Sequence, residues 1–113
     1  MRVAFIAFAV AFFATPALAA PMTPDKIRSE VIGKKFTYVQ GKFTGSGIYN
    51  PDGTASVLSN ESKISDTGKW VLKGNQFCVA WTKIRDGKEA CNTFETAGSK
   101  KFKTSADAVL TVE

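Results

Sequence analysis

The hydrophobic positions of this chain change period twice. After Arg2, residues 3–14 have no period at all: they are uncharged and rich in Phe and Ala, and they run into Pro16 and the small-residue stretch Ala17-Leu18-Ala19. A basic start, a short apolar run and a small-residue cleavage site are the layout of a secretory signal peptide. From Thr23 the spacing becomes helical. Thr23 suits a cap, Pro24 the first helical position, and Asp25 the positive end of the helix dipole. Ile27 and Val31 lie four apart on one face, and Gly33 is a natural stop. The pattern predicts one short helix of about nine residues, packed across a sheet edge or barrel end.

After Gly33 the period becomes two. Phe36, Tyr38 and Gln40 alternate with Thr37 and Val39, with the β-branched and aromatic bias of a strand. Residues 42–49 place Phe43, Gly45, Gly47 and Tyr49 on one face, and two glycines there predict a sharp bend or the close approach of another backbone. Asn50-Pro51-Asp52-Gly53 is a turn, and residues 54–59 return as a strand. Residues 60–67 are polar apart from Ile64. Gly68 leads into Trp70, Val71 and Leu72, and Gly74-Asn75 is a two-residue hairpin turn. Residues 76–83 come back with Phe77, Val79 and Trp81 on one face. Asp86-Gly87 marks another hairpin before residues 89–96, Gly98-Ser99 turns into residues 100–104, and residues 108–112 make a closing strand. The fold class expected is all-β: a small antiparallel meander or barrel of about eight short strands with one short N-terminal helix.

Removing 1–19 as a signal peptide leaves residues 20–113, 94 residues, which is enough for a single small β domain. It also removes four of the nine phenylalanines and lowers the net charge from +5 to +4. What remains is a modestly basic domain with a small core, and Trp70 and Trp81 are expected to be its pillars. The apolar run is shorter than the roughly 20 residues of a membrane-spanning helix, so no transmembrane anchor is expected. The layout predicts a periplasmic or secreted bacterial protein.

Two cysteines remain, Cys78 and Cys91, and in an oxidising compartment an even count reads as a disulfide. The spacing sits awkwardly with the hairpin. A two-residue Asp86-Gly87 loop would set Cys91 opposite Thr82 and leave Cys78 four residues beyond, too far for the roughly 5–6 Å between α-carbons that a bridge needs. Either the loop is wider and a bulge shifts the register, or the bridge joins non-neighbouring strands; the wider loop is preferred.

The chain has no histidine, which removes the commonest general base and the Ser-His and Cys-His nucleophile pairs. With the cysteines spent on each other, no metal site or cofactor is expected. Asp66, Asp86, Glu89 and Glu95 are the carboxylates that paired acid–base work would need, but Asp66 and Asp86 read as turn residues and the two glutamates as exposed strand positions. A non-enzymatic protein is expected. Aromatics alternating with lysines resemble the surface on which barrels hold single-stranded nucleic acid. Aromatics at period two are better read as core, and no nucleic-acid partner is expected.

The segments Asp52-Gly53-Thr54, Asp66-Thr67-Gly68-Lys69-Trp70, Phe77-Cys78-Val79-Ala80-Trp81 and Gly87-Lys88-Glu89-Ala90-Cys91 resemble small secreted alphaproteobacterial proteins of domain-of-unknown-function family 995. The resemblance spans about residues 24–95 and implies a lipocalin-like or avidin-like β-structure with a disulfide, without an activity to carry over. A weaker likeness links Thr44-Gly45-Ser46-Gly47-Ile48-Tyr49 to the Ser-Gly-Ser-Gly-x-Lys-Tyr loop of periplasmic inhibitors of C-type lysozyme. Here Ile48 stands where the inhibitory lysine would be, and a +4 domain would be repelled by a cationic lysozyme.

The leading expectation is therefore an exported, non-enzymatic, monomeric β-barrel. It would bind a small ligand or an anionic envelope component, with Tyr38, Phe43 and Tyr49 as the lining because the glycines beside them open space. The alternative is a periplasmic protein–protein module that uses Gly45, Ser46, Gly47 and Tyr49 as its contact.

Overall fold

The computed structural model describes residues 20–113; the expected signal peptide lies outside them. Their first element is α1 (Pro24–Glu30), with the Thr23 hydroxyl accepting the Lys26 N–H at 3.3 Å. The helix is shorter than its sequence pattern suggests, because the chain already turns at Val31 to Gly33. Gly33 adopts φ +83°, and its N–H donates to the Tyr49 carbonyl at 2.6 Å, which lays the helix across one end of the sheet. Ile27 and Val31 are fully buried there, in one cluster with Phe36, Phe94, Phe102 and Val112.

Nine antiparallel strands follow: β1 (Lys35–Gln40), β2 (Phe43–Tyr49), β3 (Thr54–Ser59), β4 (Ser65–Lys73), β5 (Gln76–Trp81), β6 (Glu89–Asn92), β7 (Phe94–Gly98), β8 (Lys101–Thr104) and β9 (Val109–Val112). Consecutive strands pair throughout except at β6–β7, and β1 also pairs with β9, so the order is β6-β5-β4-β3-β2-β1-β9-β8-β7. The two edge strands are consecutive and joined by Thr93 alone. A single bent strand thus pairs with β5 through its first half and with β8 through its second, which makes the sheet a nearly closed barrel. The sequence pattern reads this stretch as one strand; the bend at Thr93 is the reason there are nine rather than about eight.

The bend is pinned by Ser105, whose hydroxyl accepts the Thr93 N–H at 3.0 Å and donates to the Asn92 side-chain oxygen at 2.9 Å. The Ser105 N–H returns to the Thr93 carbonyl at 2.9 Å. Beside the seam, the Met22 N–H donates to the Phe94 carbonyl at 2.8 Å, so the segment before α1 covers part of the free edge of β7.

Cys78 and Cys91 face each other directly across the β5–β6 ladder and are bridged, with α-carbons 4.0 Å apart. The loop between these strands is the wider one: it runs from Thr82 to Lys88 and contains a 3₁₀ turn (Ile84–Gly87) in place of a two-residue hairpin. The register follows from that loop length, and the strands pair without a bulge. The Lys73–Glu89 ion pair, at 2.9 Å, links β4 to β6 across the strand that carries Cys78. Closing a loop of this size stabilises a chain by about 3 kcal/mol. The double variant Cys78→Ala/Cys91→Ala is expected to lose about that much, read from urea denaturation as a lower midpoint.

Candidate functional site

Three inward-facing glycines each sit opposite an aromatic residue. Gly45 pairs with Tyr38, Gly47 with Phe36 and Gly68 with Trp81. A β-carbon on Gly45 would lie 2.5 Å from Tyr38 Cε2 and Oη, one on Gly47 2.8 Å from Phe36 Cζ, and one on Gly68 3.0 Å from Trp81 Cε3. All three rings therefore rest on the bare backbone of the next strand. The glycines of β2 do mark the close approach of another backbone, as their pattern suggests: the Leu58 and Ser56 carbonyls of β3 come nearest to where a β-carbon would stand, and the Tyr38 and Phe36 rings crowd the same positions. The space beside them is filled by Tyr38 and Phe36, which lie along the wall instead of across the lumen.

That arrangement leaves a cavity of about 620 Å³ inside the barrel. Tyr38, Phe43 and Tyr49 all line it, at three depths. Tyr49 is at the helix end, where its ring stacks on Phe36 at 4.9 Å and meets Phe77 edge-on at 4.6 Å. Burial, and secondarily Tyr38 nearby, push the Tyr49 phenol far above its ordinary pKa, so it is a neutral group facing a cavity. Tyr38 lies along the wall, and Phe43 stands on the rim, 57% exposed. Phe77, Val79 and Phe94 line it too, as does Leu110, the partner of Tyr38 across the β1–β9 ladder.

The two tryptophans part company. Trp70 packs on Phe77 and donates Nε1–H to the Asn50 carbonyl at 2.8 Å, as a core pillar would. Trp81, half-buried like Trp70 and also packed against the core, lines the cavity wall instead. Gly45, Gly47 and Tyr49 also point inward, so the candidate contact segment is a mid-barrel strand paired on both sides. Ser46 and Ile48 are its outward residues, and they lie in a shallow groove on the outer wall with Thr37 and Ser56.

Helix α1 seals one end, and the cavity opens at the other, where the β1–β2, β3–β4, β5–β6 and β8–β9 connections lie. The mouth carries residues that the alternating pattern does not single out: Ile64, Ile84 and Arg85, the last being the one charged residue on the cavity wall. Asp66 holds this side of the mouth. It lies in β4 and not in a turn, is 5% exposed, and accepts N–H groups from Thr67 at 2.8 Å, Lys83 at 2.8 Å and Ile84 at 2.9 Å. Desolvation pulls its pKa up. The hydrogen bonds from Ile84, Lys83 and Thr67, with the Lys83 charge, outweigh that and hold the carboxyl below its ordinary value. The clamp fixes a strained loop, with Arg85 at φ 57° and Asp86 at φ 54°.

Carboxylate chemistry finds no pair here: Asp66 is spent on backbone, and Glu89 on Lys73. The grouping of Cys78, Glu89 and Cys91 has both sulfurs in the bridge. Compared with protein families, curated proteins and solved structures, the chain matches none.

Two outcomes follow. Gly45→Ala should lower stability by about 1–3 kcal/mol in urea denaturation, because Tyr38 has to leave the wall. The Asp66 contribution is present above the ordinary carboxylate pKa and is lost as pH falls through its depressed folded value. Melting temperature should therefore drop below about pH 4 in the wild type, and Asp66→Asn should flatten that part of the profile.

Proposed function

We propose that this protein is exported and binds a small, largely apolar ligand in the lumen of its barrel, without catalysing a reaction on it. The observation that carries the reading is the cavity: about 620 Å³, walled mainly by aromatic and aliphatic side chains, sealed at one end and open at the other. A chain whose aim was a filled core would place rings across that space. Here glycines hold three of them against the wall.

Export rests on the sequence pattern of residues 1–19, and the Cys78–Cys91 bridge is compatible with it. Among the described residues no helix is long and apolar enough to cross a membrane. The secreted family of unknown function that the Trp and Cys spacing resembles is the kinship we favour. A second reading is a protein–protein module working through β2. Its contact would be Ser46 and Ile48 on the outer groove, with Gly45 and Gly47 acting only through the shape of the strand.

Native mass spectrometry of protein purified gently from its own cells tests the lumen directly. A stoichiometric extra mass is expected beside the oxidised polypeptide. The neutral apolar probe N-phenylnaphthylamine should bind, and Tyr49→Ala should weaken it about tenfold. A lumen that holds neither a native ligand nor the probe, or a Tyr49→Ala protein with unchanged affinity, overturns the reading in favour of the outer groove.

A further inference from the structure

The rim of the mouth has a composition that its role as an opening does not require. Phe43, Ile64 and Ile84 are 57%, 49% and 38% exposed, and all three border the cavity. They come from three different connections at the same end of the barrel: Phe43 follows the β1–β2 turn, Ile64 ends the β3–β4 loop, and Ile84 lies in the β5–β6 loop. Each is immediately preceded by a lysine, Lys42, Lys63 and Lys83, and Arg85 follows Ile84.

Among the described residues none of Lys42, Lys63, Lys83 or Arg85 is in an ion pair within 4 Å. The acids at this end are Glu61, Asp66, Asp86 and Asp107. Glu61 accepts the Thr44 N–H at 2.9 Å and the Thr44 hydroxyl at 2.7 Å and stays ionised, Asp107 pairs with Lys103 at 3.7 Å, and Asp66 is ionised but buried under the loop. The helix end also carries lysines, Lys34, Lys35, Lys100 and Lys101, but the exposed large apolar side chain toward that end, Val71, stands on the outer wall and not on the cavity. Charge alone does not set the mouth apart; the coincidence of cations outside ion pairs with apolar tips does.

Apolar side chains next in sequence to lysines match one kind of surface. Lysine heads stay at the level of anionic headgroups while the neighbouring apolar groups enter the acyl boundary. A protein partner would have to match three separate tips around an open hole, whereas a fluid bilayer adapts to them. We propose that the mouth rim is a docking surface for an anionic lipid bilayer, which sets the lumen open toward the membrane. The proposal goes beyond ligand binding and does not rest on it: docking uses the rim, and an empty barrel docks as well as a filled one.

The test uses the chain as isolated from cells, with its N-terminus fixed by intact mass, and co-sedimentation with phosphatidylcholine vesicles with or without about one-third phosphatidylglycerol. Binding is expected to the anionic vesicles in about 50 mM salt and to be released by about 500 mM. Phe43→Ser, Ile64→Ser and Ile84→Ser should each lower partitioning about tenfold. Lys42→Gln and Lys63→Gln should each lower it about fivefold. Val71→Ser, which removes an apolar group exposed on the outer wall of β4, should leave it unchanged.

Orientation supplies a readout that does not depend on rim variants folding. Trp81 is near the mouth and Trp70 near the helix end. Brominated lipid should quench Trp81 in a Trp70→Phe protein and leave Trp70 bright in a Trp81→Phe protein. Absence of binding to anionic vesicles, equal losses in Val71→Ser and Ile64→Ser, or equal quenching of the two tryptophans overturns the proposal. Any of these results leaves the native-mass test of the lumen intact.

Discussion

The lumen of this barrel exists because three aromatic rings have somewhere flat to lie. An eight-strand-sized ring is just wide enough for its own side chains to fill, and Phe36, Tyr38 and Trp81 are bulky enough to do so. Register decides otherwise. Each ring faces a glycine directly across the ladder, at Gly47, Gly45 and Gly68, and a single added β-carbon at any of them would collide with a neighbouring backbone carbonyl as well as with the ring. The glycines give up packing area in their own strands, and the rings recover it by covering the backbone that the glycines leave bare. Wall thickness, cavity volume and register are thus one constraint expressed three ways.

That constraint holds only if the ring of strands closes, and closure falls on one residue. Thr93 lets a single strand serve β5 with its first half and β8 with its second, so most backbone donors find partners inside the ring. Ser105 fastens the bend, and Met22 covers part of the edge that it exposes. The disulfide acts next to this seam, on the strand pair that leads into it. Covalent and hydrogen-bonded reinforcement therefore gather where the sheet is least continuous.

Much of this was legible in the residues. The switch from a four-residue to a two-residue period after Gly33 marks the helix and the start of the meander, because burial on one face imposes those periods. Turn residues locate most hairpins for the same local reason. What escaped was set by pairing between strands. The Asp86-Gly87 dipeptide looks like a tight hairpin, yet the buried Asp66 carboxylate captures the Lys83 and Ile84 N–H groups and opens the turn into a seven-residue loop. No local feature of residues 82–88 announces a partner in β4. The cavity trio shows the same division. Tyr38, Phe43 and Tyr49 share a face by period alone, but their depths depend on strand direction and on which end α1 covers. Ile64, Ile84 and Arg85 stayed hidden because they lie in loops, where alternation carries no information.

The two ends of the barrel are built to different specifications, and the difference bears on function. At the helix end, Ile27 and Val31 are fully buried and the Tyr49 phenol is held neutral, so the structure spends apolar surface on sealing. At the mouth, apolar side chains of similar size are partly exposed beside cations outside ion pairs, and a buried carboxylate holds one of the loops that present them. The exposed part of these side chains adds little to folding. Arg85 and Asp86 in left-handed backbone cost folding free energy instead. A sealed floor, an aromatic wall and an amphipathic rim together describe a vessel whose one opening is suited to a surface that is itself apolar beneath an anionic layer.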